Sequence, residues 1–202
     1  LGACGGRLSD WCEQTPGTWF PAEDGQDAPR VRLEPRKSDQ AHFCLALRGL
    51  PAEHPQRYAL DLLSVVLGEG MSSRLFVELR EKHGLVYDVH SAASHLRDTG
   101  TLAVYAALFP KSAPQAVGLV LDQVERMLEI VPDTELAKAK ELVKGRLMLR
   151  MEDTRSVALW NGTQELLRGR VSPVDEIVAL VDAITPDEVQ AVARDIIVRE
   201  KM

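Results

Sequence analysis

Apolar residues recur at helical spacing over Ala59, Leu62, Leu63, Val66 and Leu67, which predicts an amphipathic helix opened by Pro55 and ended by Gly68 and Gly70. Before it, Val31-Arg32-Leu33 alternates and residues 41–47 form a short apolar run, a pattern that predicts two paired or adjacent strands. After it, Leu75, Phe76 and Leu79 make the buried stripe of a helix over residues 73–83, with Ser72 as its N-terminal cap and Gly84 as its left-handed stop. Strand patterns follow over residues 85–94 and 101–108, joined by the polar stretch Arg97-Asp98-Thr99-Gly100.

The remaining chain reads as helices. Val117, Val120, Leu121, Val124, Met127 and Leu128 form one stripe, stopped by Pro132. Longer patterns run from Thr134 to Met151, burying Leu136, Ala139, Val143 and Leu147, and from Thr154 to Leu167, ending at Gly169. Ser172-Pro173-Val174-Asp175 and Thr185-Pro186-Asp187-Glu188 each combine a capping residue, a first-turn proline and an acid three residues on, and so start two further helices. Strands that come early and in pairs, followed by helices, predict an α+β fold with a largely antiparallel sheet backed by helices. Residues 1–30 are punctuated by Gly2, Gly5, Gly6, Pro16, Gly17, Pro21, Gly25 and Pro29 and read as a linker or irregular segment, while residues 31–202 read as one domain. Trp11, Trp19 and Phe20 argue that part of the early segment lies on a surface, because large rings are costly to leave in water.

Composition narrows the function classes. A chain of 202 residues with 45% hydrophobic content is long enough to bury about 70% of its unfolded surface. Its 24 basic residues are interspersed with 30 acidic ones for a net charge of −6, so no phosphate-binding stripe forms and nucleic acid is not an expected partner. Cys4, Cys12 and Cys44 make an odd set without Cys-x-x-Cys spacing, which argues against a disulfide framework, and Cys44 in its apolar run reads as a small buried hydrophobe. No apolar stretch is long enough for a membrane span, and a reducing, cytoplasmic setting is expected. The chain starts at Leu1, and its last helix runs out at Arg199-Glu200-Lys201-Met202 without a closing strand, so a fragment of a longer protein is expected.

Motifs for chemistry are sparse. Among the five histidines, His83 and His90 are separated by the helix-breaking Gly84, and His90 and His95 point to opposite faces of an ideal strand, so no zinc ligand set emerges beside His42 and His54. No Gly-x-Ser-x-Gly elbow occurs, and Gly68-x-Gly70 lacks the third glycine and lysine of a phosphate loop. Arg80 and Tyr87 stand apart. A helix-turn-strand corner at Gly84 can set a guanidinium and a phenol side by side, paired donors next to a directional hydroxyl, suited to gripping a peptide backbone and polarising a carbonyl. By residue type alone, Arg80 could equally pair with Glu78, Glu81 or Asp88, and Tyr87 could be a half-buried sheet tyrosine. Val86, Val89 and residues 101–108 are candidates for a sheet edge to which an extended peptide adds.

The stretch Gly70-Met71-Ser72-Ser73-Arg74-Leu75-Phe76-Val77-Glu78-Leu79-Arg80-Glu81-Lys82-His83-Gly84-Leu85-Val86-Tyr87 resembles the signature of the non-catalytic, C-terminal half-domain of the insulinase/pitrilysin zinc metallopeptidases, the inverzincins. Other segments fit in order: Ser38-Asp39-Gln40-Ala41-His42, Leu67-Gly68-Glu69-Gly70, Asp98-Thr99-Gly100, Glu135-Leu136-Ala137-Lys138-Ala139-Lys140 with Glu152, and Ala183-Ile184-Thr185-Pro186-Asp187-Glu188-Val189. Glu69 departs from the pattern, standing where a third small glycine is common. The resemblance implies a half-domain of the mitochondrial-processing-peptidase-like type that closes over a peptide. Arg80 and Tyr87 would bind substrate, and Tyr87 would support the scissile carbonyl. Zinc is expected in a partner half carrying His-x-x-Glu-His, in the same polypeptide or another, and this chain alone would not be an active peptidase. The alternative is a structural or assembly subunit of the same fold without a peptidase role.

Overall fold

The apolar run after Gln40 forms β1 (Ala41–Gly49) in a computed structural model that describes residues 18, 20–23 and 25–202. It is followed by helix α1 (Arg57–Gly68), a π-helical segment (Phe76–Lys82), β2 (Val86–His95) and β3 (Gly100–Leu108), then α2 (Ala113–Glu125), α3 (Asp133–Met151), α4 (Thr154–Arg168), α5 (Val174–Ala183) and α6 (Pro186–Ile196). The three strands form one antiparallel sheet in the order β1-β3-β2, with Leu45 opposite Val104 and Ser91 opposite Val104 on the other side. The fold is therefore α+β with an antiparallel sheet backed by helices, as the pattern of the chain predicts.

Alternation decides the two faces of that sheet. Leu47, Val89, Leu102, Val104 and Ala106 point toward the helices, where they meet Leu60, Leu62, Leu63 and Leu67 of α1 with Leu75, Leu79, Val120, Val124 and Met127. Each of these fully buried leucines contributes about 1.5–3 kcal/mol. The opposite face carries His42, Cys44, Ala46, Asp88, His90 and Ala92, all exposed. Cys44 is thus an exposed free thiol and not the expected buried hydrophobe, because its parity in β1 is opposite to that of Leu45 and Leu47.

Four local expectations change. Val31 and Leu33 form no strand and are 93% and 86% exposed; a three-residue alternation between Pro29 and Pro35 has no partner in the sheet. Residues 101–108 occupy the central strand, which leaves β1 and β2 as the edges among the described residues. Ser72 is exposed, and it is the buried Ser73 that ties the turn, donating its Oγ proton to the Gly70 carbonyl at 2.7 Å. Ser172 makes no cap for α5; its N–H donates to Gln164 Oε1 at 3.1 Å, whereas Thr185 and Glu188 form the full reciprocal capping box of α6. Of the early aromatic residues Phe20 is 79% exposed, and Trp11 and Trp19 lie outside the described residues; contact with the body is made instead by the Ala22 N–H to Asp98 Oδ2 and by Gln26 Nε2 to the Lys201 carbonyl.

Two polar ties fix α1 against β2. Ser91 Oγ donates to the Ser64 carbonyl at 2.7 Å, and Ser64 Oγ donates to Glu69 Oε1 at 2.9 Å. At the far end of β2, His95 Nδ1 lies 2.7 Å from the Leu50 carbonyl and Nε2 lies 3.1 Å from Asp61 Oδ1. Two acceptors at the two ring nitrogens favour the doubly protonated ring, and the Asp61 carboxylate, opposed by burial, raises the His95 pKa above its usual 6.5. A pKa raised on folding stabilises the protein most fully below the unfolded value and loses that contribution as pH climbs through the folded one. Melting temperatures from about pH 6 upward should therefore fall more steeply in the wild type than in His95→Gln, in the window just above the unfolded histidine value of about 6.5. Parallel pH profiles would show that this histidine does not titrate as argued.

Candidate functional site

The segment that carries Arg80 is wound more loosely than an α-helix. Residues Phe76–Lys82 form π turns, and the helix closes around Gly84, at φ 59°, with the Gly84 N–H donating to the Arg80 carbonyl at 3.2 Å and the Leu85 N–H to the Leu79 carbonyl at 2.9 Å. The second bond spans one residue more than the closing bond of a Schellman motif, as the wider π turn demands. Gly84 has nothing within 4 Å of a would-be Cβ, so its left-handed backbone and not crowding selects glycine.

Tyr87 sits on a β-bulge. Val86 pairs with Leu108 and Asp88 with Ala107, so Tyr87 has no partner on β3 and both Tyr87 and Asp88 turn outward. A bulge re-aims a side chain that a regular strand would bury. The Tyr87 ring, 41% exposed, packs at 4.3 Å between centroids on Phe109, and the Arg80 guanidinium lies 5.2 Å from the Phe76 ring centroid. Each polar side chain at this corner thus rests on its own aromatic platform, and among the described residues no hydrogen bond or ring contact joins Arg80 to Tyr87. Phe109 was not distinguished by sequence reasoning, and Phe76 was assigned to the core stripe; a single aromatic between an apolar strand and Pro110 is the signal that marked the first.

The carboxylates near Arg80 in sequence are committed elsewhere. Glu78 accepts from Lys82 Nζ at 2.8 Å and faces His83 Nε2 at 3.3 Å, contacts that hold its pKa below the usual range, chiefly through Lys82. Asp88 faces His90 Nδ1 at 3.2 Å. Arg80 consequently has no ion pair among the described residues, and its donors face solvent.

A shallow cavity of about 380 Å³ runs beside this corner along β2, bordered by Gly70, Met71, Phe76, Asp88, His90 and Arg146. Glu69, the residue that departs from the expected glycine, pairs with Arg146 of α3 while accepting from Ser64, and so pins the loop that forms one wall. On the exposed sheet face, His42 Nδ1 lies 2.7 Å from Tyr105 Oη, and the His90 and Tyr105 ring centroids are 5.1 Å apart, an imidazole and phenol cluster that strand parity alone assembled.

Residues fit for a metal are not brought together. His42 is engaged by Tyr105, His54 accepts from the Gln56 N–H, His83 faces Glu78, His90 faces Asp88 and His95 faces Asp61. Among the described residues no group of three His, Cys, Asp or Glu side chains has the arrangement to hold a metal ion, and no helix is long and apolar enough to cross a membrane.

Comparison with known proteins gives one consistent result. The family model described as the peptidase M16 inactive domain matches residues 8–143. The chain is 39% identical over 173 residues to the uncharacterized zinc protease SCO5738 of Streptomyces coelicolor, covering 85% of this chain and 38% of that protein. It is 33% identical over 202 residues to the uncharacterized zinc protease YmxG of Bacillus subtilis, covering 95% of this chain and 49% of the other. The chain thus spans less than half the length of these curated relatives. A solved structure of a protease from Helicobacter pylori shares the fold at a TM-score of 0.81 and 22% identity, over 95% of this chain and 47% of that one.

Proposed function

Since the chain belongs to the family of the peptidase M16 inactive domain, we propose that it is the non-catalytic half of a zinc-dependent peptidase, which closes over a peptide and supplies Arg80 and Tyr87 to an active site completed by a partner half carrying His-x-x-Glu-His. The observation that carries this reading is the corner itself: a π turn and a β-bulge, both departures from regular structure, expose a guanidinium without a carboxylate partner and a phenol beside one edge of the sheet. Backbone irregularities of this kind concentrate at functional sites. Arg80 offers paired N–H donors to a peptide carbonyl or carboxylate. Tyr87 offers one O–H to the carbonyl oxygen of the bond under attack, where negative charge develops.

The residues of this chain do not fit a zinc ion, so the metal belongs to the partner half in this reading, and no step passes through it here. β2 supports the same reading, since among the described residues it is an edge to which extended peptide can add, with the 380 Å³ cavity alongside. The exposed free thiol of Cys44 supports a reducing compartment such as the cytoplasm.

The test begins with the chain alone. Purified without chelator, it should carry no stoichiometric zinc by elemental analysis and cleave no peptide, and mixing it with a half-domain bearing His-x-x-Glu-His should restore cleavage. One tightly held zinc per chain together with peptidase activity in isolation would sink the helper reading.

A further inference from the structure

A cavity of about 480 Å³ opens at the other end of β2, where the start of α1, His95 and α4 converge. The length of the strand puts it roughly 30 Å from Tyr87. Its wall carries a surplus of hydrogen-bond donors. Gln164 is 6% exposed, and its Oε1 accepts from the Ser172 N–H at 3.1 Å, which fixes the orientation of the amide and leaves Nε2 buried without a partner. Arg57 donates through Nη2 to Tyr58 Oη at 3.0 Å and lies over the Tyr58 ring, while its buried Nε–H also has no partner. Arg150 borders the same space and has no ion pair among the described residues. Asp61 spends one carboxylate oxygen on His95 and has no partner for the other among the described residues. Trp160 and Leu159 supply the apolar wall.

Buried N–H groups without acceptors are rare in folded chains, because each has given up water for nothing. Two of them on the wall of one cavity, with an unpaired guanidinium beside them, call for an acceptor-rich anion. A carboxylate has up to four acceptor positions and matches a guanidinium in geometry. The free Asp61 oxygen adds a place for one N–H, and the tryptophan wall a place for an apolar side chain. We propose that this cavity binds the C-terminal residue of a peptide, its carboxylate held by Arg150 with the Arg57 and Gln164 N–H groups, its amide N–H directed to Asp61 and its side chain against Trp160 and Leu159. The volume suits one or two residues. The inference goes beyond the Arg80 and Tyr87 corner and does not depend on it.

Calorimetric titration of the protein with N-acetylphenylalaninate, with N-acetylphenylalaninamide and with decanoate tests it. The acid should saturate one site with a Kd on the order of 10⁻⁴ M, and the amide should bind about tenfold more weakly for want of the charge-assisted contact. Arg150→Gln, a substitution of an exposed side chain that leaves the melting temperature unchanged, should weaken the acid about tenfold and remove its advantage over the amide. Equal binding of acid and amide, an Arg150→Gln protein that titrates like wild type, or no saturation up to about 10 mM acid overturns the proposal. Decanoate binding more tightly than N-acetylphenylalaninate overturns it in favour of a fatty acid.

Discussion

Tyr87→Phe, measured in the enzyme reconstituted from both halves, is expected to lower kcat about 10²-fold, the size of effect found when one donor to a developing oxyanion is lost. The substitution removes only the O–H. Phenylalanine keeps the contact with the Phe109 ring at 4.3 Å, and the Tyr87 hydroxyl has no hydrogen-bond partner among the described residues, so the melting temperature should not move. Arg80→Ala behaves differently. A guanidinium that holds the bound chain contributes to ground and transition states alike, so its loss chiefly raises KM. Its nearest described contact is the Phe76 ring at 5.2 Å, and exposed contacts of that kind contribute at most about 1 kcal/mol to folding. Unchanged kcat and KM in both variants, with a loss of stability alone, would make the corner scaffold.

Gly68→Ala is expected to destabilise the fold by about 3 kcal/mol, a drop in melting temperature of roughly 6–12 °C for a chain of this size. A Cβ at Gly68 would stand 2.6 Å from the Ser91 backbone nitrogen and 2.7 Å from Ser91 Oγ, and a strand inside a ladder cannot retreat from it. The end of α1 would have to lift, which loosens the Ser91 to Ser64 hydrogen bond and the packing of Leu67 and Leu75 beneath it. Gly145→Ala is the matched control: it lies in α3 with open space around the new methyl, so the better helix propensity of alanine should stabilise by about 0.5–1 kcal/mol. Thermal melts of both variants decide the matter, and a neutral Gly68→Ala would mean that α1 does not press on β2 as described.

The helices after Pro110 were legible in the chain because their signals are local. The stripe of Val120, Val124 and Met127, the left-handed Gly169 at the end of α4 and the Thr185 and Glu188 box all act within a few residues of themselves. Strands 85–94 and 101–108 were legible as a pair for the same reason, since the turn between them is short. Sheet order was not. Whether β1 pairs with residues 31–33 or with β3 depends on contacts distant in sequence, and the exposure of Cys44 follows from which face of β1 meets the helices. At the corner, the identity and spacing of Arg80 and Tyr87 could be read, and the way they are exposed could not. A bulge is defined by its partner strand, and a π turn by bonds that the residue types of Phe76–Lys82 do not announce. The 480 Å³ cavity has no sequence signal, because Arg57, His95 and Gln164 come from three separate elements.

The π-helical winding of Phe76–Lys82 is also a phase setting. Each residue of an ordinary helix advances the side-chain direction by about 100°, so a segment that accommodates one extra residue in its turn rotates everything after it by that amount relative to a plain helix. Arg80 lies inside that segment, with Leu79 buried immediately before it and Gly84 closing it behind. Shortening the chain by one residue between Gly70 and Arg80 would let the turn relax to ordinary winding at little cost in hydrogen bonds, yet it would swing the guanidinium toward the core and bring a neighbour to the surface in its place. Length here is as specific a determinant of the corner as the arginine itself, and a relative that keeps the arginine but loses one residue of this spacing would present a different side chain to whatever lies opposite.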